Sequence, residues 1–361
     1  MYHMCCATVE GVRRLGLLLL FTAWPLCGFS RPALTNAADV PSLMVRAPEL
    51  ALARHEAAPA LSAGGAILVD LGSGRVLYAL HAQQRLPPAS TTKIMTALLT
   101  LERGQLDRVV TVDAAAAAEI GSRMGLAAGQ QLTEHDLLYG LLLPSGNDAG
   151  MALAGQVGGT VPGFVAQMNA RAQQLGLTET HFSNPVGLDA PDHYSSAADL
   201  AVLARFAFQR EPLFRRIVGT TVFDIPAAAQ HAAFNLTNLN QLLSSYPGAM
   251  GIKTGTTPAA EQDLVGAAER DGRQLLVVVL HSTSRYADAE ALLNYGFEAF
   301  AWWQPAQVEA WQPVDADPGT PLLLPAWEVD QGTAYFDNQR GSAVYSLAGA
   351  PLASEAFTLV G

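Results

Sequence analysis

Two nearly continuous apolar runs, Ala66-Ile67-Leu68-Val69-Asp70 and Arg75-Val76-Leu77-Tyr78-Ala79-Leu80, flank Leu71-Gly72-Ser73-Gly74. Short apolar runs around a glycine-containing turn predict a β-hairpin. From Ser90 to Glu102 the apolar residues Ile94, Leu98 and Leu99 recur at helical spacing, and Pro87 and Pro88 precede them where they cannot break a helix. Thr133-Glu134-His135-Asp136 reads as a capping box, with Asp in place of Glu, that opens a helix to Leu143. Further helices are predicted over 147–157, 162–175 and 196–209, the last behind Ser195 and Ser196 with Asp199 following. From Met250 the pattern turns to strands: Met250–Thr254, Leu264–Glu269 and Leu275–His281, with Asp271-Gly272 as a hairpin turn. A last helix is predicted over Asp288–Phe300. An early hairpin, helices between, and late strands predict an α+β fold: one antiparallel sheet closed by both ends of the chain and sandwiched by helices.

The flanking segments have a different character. Arg13 and Arg14 precede an apolar run from Leu15 to Phe29, broken by Pro25, which is short for a membrane span and suits an export signal. Thr35-Asn36-Ala37 offers a cleavage site, so residues 1–37 are expected to be a signal peptide, with an uncleaved anchor as the alternative. Residues 38–62 are rich in Ala and Pro and read as a linker. Residues 63–300 hold the predicted α+β domain. Residues 301–361 carry Trp302, Trp303, Trp311 and Trp327 with short β-like stretches, and are expected to form a small β-rich module.

Composition narrows the function. The net charge is −11, and no basic patch is visible, which excludes a nucleic-acid partner. Cys5, Cys6 and Cys27 all fall in the expected signal, so the remainder enters an oxidising compartment without thiols. His135, His181, His193 and His231 show no metal-ligand spacing, and no Gly-rich phosphate loop follows a strand, so no cofactor is expected.

The chain has 21 basic residues, of which only Lys93 and Lys253 are lysines. Arginine serves wherever a plain cation is needed, whereas only lysine can release its proton and act as a base. Both lysines lie in short motifs, Ser90-Thr91-Thr92-Lys93 and Lys253-Thr254-Gly255. Ser90 and Lys93, at i and i+3 of a helix start, share one face, so the hydroxyl and amine can touch. Burial near a second cation lowers the lysine pKa, and the neutral amine can then activate the serine. Backbone N–H groups at the helix start can stabilise an oxyanion. Lys253-Thr254-Gly255, ending a strand, presents a cation and a hydroxyl to a carboxylate, while glycine admits a substrate backbone. Ser145-Gly146-Asn147, taken alone, is an ordinary turn with a helix cap. Each motif alone is weak.

In this order the three are specific to serine acyl-transfer enzymes of the penicillin-binding and class A β-lactamase type. From Ala66 to Phe300 the chain resembles the serine-type D-alanyl-D-alanine carboxypeptidases, the low-molecular-mass penicillin-binding proteins. The resemblance is carried by Pro88-Ala89-Ser90-Thr91-Thr92-Lys93-Ile94-Met95-Thr96, Ser145-Gly146-Asn147-Asp148-Ala149, Phe182-Ser183-Asn184-Pro185-Val186-Gly187-Leu188 with Tyr194-Ser195, Gly251-Ile252-Lys253-Thr254-Gly255 and Leu293-Asn294-Tyr295-Gly296-Phe297. It implies an exported enzyme that removes the terminal D-alanine of peptidoglycan stem peptides and binds β-lactams covalently. By position, Ser90 would be the nucleophile and Lys93 its base. Ser145 would relay a proton to the leaving D-alanine, and Asn147 would bond the substrate amide and help hold Lys93. Lys253 and Thr254 would line the wall that receives the terminal carboxylate, with Gly255 beside them. The N–H groups of Ser90 and Thr256 would form the oxyanion hole. Arg285 matches an arginine that helps bind the carboxylate; from sequence alone it is equally an exposed arginine at a helix start.

Two departures stand out. After Thr256-Thr257, where the family usually continues with an Ala-Gly pair and then often a cysteine, the chain reads Ala259-Ala260-Glu261-Gln262-Asp263. Carboxylates pointing inward here would repel an anionic substrate. The tail is shorter than the family's usual second β domain and has no basic amphipathic helix, so any peripheral membrane association is expected through the N-terminus. Three other readings stay open: a D,D-endopeptidase, a β-lactamase, and a non-catalytic wall-binding module. Glu179 is the one candidate for a deacylating base, and no Glu-x-x-Leu-Asn pattern follows it.

Overall fold

The structure, a computed structural model, describes residues 58–103 and 105–303 and, beyond them, strand segments between 311 and 359. The expected signal and most of the expected linker lie outside the described residues. In chain order the elements are β1 (Gly65–Asp70), β2 (Val76–Leu80), a 3-10 turn (Ala89–Thr92), α1 (Lys93–Arg103), β3 (Val109–Thr111), α2 (Ala114–Ala117), β4 (Gln131–Thr133), α3 (Glu134–Leu142), α4 (Asn147–Gly158), α5 (Val161–Gln174), α6 (Ala197–Arg210), α7 (Pro212–Val218), β5 (Val222–Ile225), β6 (Phe234–Thr237), α8 (Leu242–Ser245), β7 (Ala249–Thr257), β8 (Glu261–Arg270), β9 (Arg273–Ser282) and α9 (Arg285–Ala299).

One antiparallel sheet, β2-β1-β9-β8-β7, organises the fold. Its central strand β9 reads Leu275-Leu276-Val277-Val278-Val279-Leu280, apolar without alternation, because both faces are covered. Leu276, Val278 and Leu280 join the large core shared with α1, α3, α4 and α6. Leu275, Val277 and Val279 join a second core against α9, with Ala289, Leu292 and Leu293. The sheet is thus the middle of three layers, as the hairpin–helices–strands order predicts. Among the described residues strand β7 is an edge, with one side free of strand partners.

The predicted caps form. Thr133 accepts from Asp136 N at 3.1 Å, and Ser196 accepts from Asp199 N at 3.1 Å. The helix expected to begin at Ser90 opens instead as the 3-10 turn, and α1 starts at Lys93. From residue 300 on, β10 (Phe300–Trp303) pairs with β12 (Leu322–Pro325). Strands β11 (Trp311–Pro313), β13 (Gly332–Asp337), β14 (Ser342–Leu347) and β15 (Ala350–Leu359) form a sheet in the order β11-β15-β14-β13.

Candidate active site

Ser90 lies in the 3-10 turn behind Ala89, whose φ of 42° bends the chain sharply before the helix. Lys93 opens α1, so its Nζ reaches Ser90 Oγ at 2.8 Å. The lysine is fully buried. Burial, and then the nearby Lys253, hold its pKa well below the ordinary lysine value, with Asp148 opposing. The neutral amine is therefore reachable, and its lone pair can take the Ser90 proton.

A second acceptor fixes that amine. Lys93 Nζ donates to the carbonyl of Val186 at 2.7 Å. Among the described residues Asn147 Oδ1 has no hydrogen-bond partner, and the second acceptor for Lys93 is the Val186 carbonyl. Asn184 builds the loop that offers this carbonyl. Its Oδ1 accepts from Val186 N at 3.2 Å, Gly187 N at 2.8 Å and Leu188 N at 3.0 Å, and its Nδ2 donates to Leu188 O at 2.8 Å. Pro185 O receives Thr96 Oγ1 of α1 at 2.6 Å. Gly187 has φ 88°, and a Cβ there would lie 1.8 Å from Ala89 O, directly behind the serine turn. His193 braces the same turn. Its Nδ1 accepts from Ser183 N at 2.9 Å, so the Nε2 side donates to Thr92 Oγ1 at 2.9 Å. Burial lowers the His193 pKa to about 4, and the ring stays neutral.

Ser145 and Asn147 occupy the tight connection from α3 to α4. Ser145 has φ 61°, is buried, and among the described residues its Oγ has no hydrogen-bond partner. Asn147 Nδ2 donates to Ile120 O at 2.5 Å. Asp148 anchors the facing loop, accepting from the N–H groups of Met124 at 3.0 Å, Gly125 at 2.9 Å and Leu126 at 2.9 Å.

The opposite wall is β7. Lys253 is buried and donates to Thr254 O at 3.0 Å. Burial, helped by Arg285, lowers its pKa to about 7. Gly255 lets β7 close on the serine turn, since a Cβ there would sit 3.0 Å from that of Ala89. Arg285, the first residue of α9, donates to Gly255 O at 2.6 Å, Asp263 O at 3.0 Å and Thr256 Oγ1 at 2.7 Å. It is thus joined to the Lys-Thr-Gly wall, and the reading as a mere exposed helix-start residue falls away.

The two departing carboxyls behave differently. Asp263 points inward and is fully buried, and its Oδ1 accepts from His281 N at 2.9 Å. Burial pushes its pKa well above the usual carboxylate range, which favours its uncharged form. Glu261 has φ 56°, and its exposed carboxylate lies 3.6 Å from His281 Nε2. Glu179 accepts from Arg85 Nε at 2.7 Å in an exposed ion pair.

Sequence reasoning missed Val186, His193, Asn184 and Asp148 as parts of this site. The Asn-Pro-Val-Gly run was a signal for the loop, but a backbone carbonyl acceptor leaves no residue signature.

A family model described as D-alanyl-D-alanine carboxypeptidase matches residues 52–284. The D-alanyl-D-alanine carboxypeptidase of Streptomyces sp. (strain K15) is 38% identical over 258 residues, covering 66% of this chain and 88% of that protein. The D-alanyl-D-alanine carboxypeptidase DacF of Bacillus subtilis (strain 168) is 36% identical over 247 residues, and the match spans 66% of this chain and 63% of that relative. Among solved structures, the Streptomyces K15 DD-transpeptidase superimposes with TM-score 0.64 and 37% identity over 67% of this chain and 99% of its own. Penicillin binding protein 6B from Escherichia coli superimposes with TM-score 0.73 and 31% identity over 84% of this chain and 97% of its own.

Proposed function

The chain belongs to the D-alanyl-D-alanine carboxypeptidase family, and from that premise we propose that it removes the terminal D-alanine of peptidoglycan stem peptides through an acyl-enzyme on Ser90. The observation that carries this reading is the 2.8 Å contact between Ser90 Oγ and the buried Nζ of Lys93.

In the proposed cycle neutral Lys93 takes the Ser90 proton as Oγ bonds to the penultimate D-alanine carbonyl. The oxyanion is received by the N–H groups of Ser90 and Thr256, a type of contact that contributes about 10²–10³ in rate per donor. Ser145 relays the proton from Lys93 to the leaving amine, the C–N bond breaks, D-alanine departs, and Lys93 is neutral again. Asn147 bonds the substrate amide. Lys253, Thr254 and Arg285 hold the terminal carboxylate, with Gly255 clearing room for the strand-like substrate at the free edge of β7. Water then cleaves the ester, with Lys93 again as base. A β-lactam would acylate the same serine.

The proposed setting is outside the cytoplasm, after export by the N-terminal signal, with any membrane association peripheral and N-terminal. The chain is proposed to need no cofactor and to bind no nucleic acid. The β-lactamase reading is weakened because Glu179 is spent in a surface ion pair with Arg85. The wall-binding reading is weakened because a buried lysine is costly and a binding module gains nothing from it. The endopeptidase differs only in the leaving amine. D-alanine release from a synthetic peptide ending in D-Ala-D-Ala, run beside cross-linked muropeptide and nitrocefin, separates all four. Fast D-alanine release with a single nitrocefin burst is expected. Sustained nitrocefin turnover, or cross-link cleavage without D-alanine release, would overturn it.

A further inference from the structure

Asp189 is exposed and takes no part in the cycle above, yet both of its carboxylate oxygens are engaged. Its Oδ1 accepts from Thr257 Oγ1 at 2.6 Å, across 68 positions of sequence. Its Oδ2 accepts from Ala259 N at 3.2 Å. Thr257 is the last residue of β7, and Ala259 lies in the turn to β8. Thr257 Oγ1 also accepts from Ala260 N at 3.0 Å, which closes that turn.

Exposed hydrogen bonds of this kind add little stability, so what they join matters more. At one end, Asp189 follows Leu188, whose N–H and carbonyl are both held by Asn184. The same loop gives the Val186 carbonyl to Lys93 Nζ and sets Gly187 behind Ala89 O. At the other end, Thr257 follows Thr256. Arg285 donates to Thr256 Oγ1 at 2.7 Å and to Gly255 O at 2.6 Å. The end of β7 is therefore fastened twice, to α9 by Arg285 and to the Val186 loop by Asp189.

In the function proposed above, the N–H groups of Ser90 and Thr256 receive the oxyanion. One belongs to the 3-10 turn and the other to the end of β7, so their spacing depends on what joins the two elements. We propose that Asp189 is a positioning residue: it clamps the end of β7 to the loop that holds Lys93, and so sets the Thr256 N–H against Ser90. The inference rests on the proposed function. Asp189 touches no reacting atom in this scheme and acts through Thr257.

The test follows acylation of the full chain by a labelled penicillin, with the bond-forming rate constant resolved from initial binding. Removing an oxyanion donor costs about 10²–10³ in rate, and displacing one costs less. Asp189→Ala should therefore acylate about 10- to 100-fold more slowly. Initial binding should change by less than about twofold, because the oxyanion exists only once the bond begins to form. Thr257→Val removes the donor at the other end of the clamp and should slow acylation to a similar degree. The double variant should be no slower than the slower single variant, since both substitutions break one link. Thermal melting checks folding, and Thr257→Val carries the test should Asp189→Ala fail to fold. Wild-type acylation rates in the folded variants, a loss confined to initial binding, or additive losses in the double variant would overturn the inference alone, because labelling of wild-type Ser90 would stand. A wild-type protein that forms no adduct on Ser90 would overturn the reading of the site, and the inference with it.

Discussion

The carbonyl oxygen of Val186 accepts a hydrogen bond from Lys93 Nζ at 2.7 Å, across 93 positions of sequence. A loop far along the chain thus aims the buried Lys93 amine at the serine three residues before it. The pocket is closed around a lysine, and its chemistry needs a nitrogen that can be neutral. Lys93→Arg should therefore reduce acylation by about 10³-fold or more, since a guanidinium keeps its proton. Stopped-flow acylation with a labelled penicillin measures this; a variant within tenfold of wild type would count against Lys93 as the base.

Gly187 and Ala89 touch across the same loop. Gly187→Ala would place a Cβ against Ala89 O at a φ of 88° that alanine avoids. The strain and overpacking should cost about 3 kcal/mol, with slower acylation as the serine turn shifts. Chemical denaturation beside the acylation rate reads both effects.

Lys253 gives the pH profile its alkaline side. Its pKa of about 7 means that it loses its charge as pH rises through that value. Carboxylate recognition, and with it kcat/KM for an anionic peptide, should then fall. On the acid side the rate falls as Lys93 gains the proton that removes its lone pair. Lys253→Arg keeps a cation at every accessible pH, so the alkaline limb should move upward with partial activity retained. A pH–rate profile with the limb unmoved would remove Lys253 from carboxylate recognition.

Asp263 and Asp148 should answer the same substitution in opposite ways. Burial favours the uncharged form of Asp263, which uses one oxygen as an acceptor, so Asp263→Asn should change stability by less than about 1 kcal/mol and keep activity. Asp148 uses both oxygens, Oδ1 for Met124 N and Oδ2 for Gly125 N and Leu126 N. An amide there turns an NH₂ toward donors, so Asp148→Asn should cost about 2–4 kcal/mol. Thermal melts of the two variants compare them directly.

Much of this was legible in the sequence where the signal is local. The caps at Thr133 and Ser196, the alternation-free β9 and the Ser90–Lys93 spacing need only neighbouring residues to be read. The helices drawn at 147–157, 162–175 and 196–209 fall within a residue of those observed. The pairs β3–β4 and β5–β6 were missed because strands of three or four residues are too short to show a period. Helix α7 was missed because its seven residues, Pro212–Val218, are too few to show a helical period. Val186 was missed because any residue supplies a carbonyl, and only tertiary folding decides which one meets Lys93. Asp263 looked like a charge beside an anion site; complete burial, which sequence does not display, disfavours that charge.

The central claim is that Ser90 becomes an acyl-enzyme. Intact-protein mass spectrometry after incubation with benzylpenicillin, followed by peptide mapping, tests it most directly. The expected result is one adduct per chain, located on Ser90 and absent from Ser90→Ala. Undiminished labelling of Ser90→Ala, or an adduct on another residue, would contradict it.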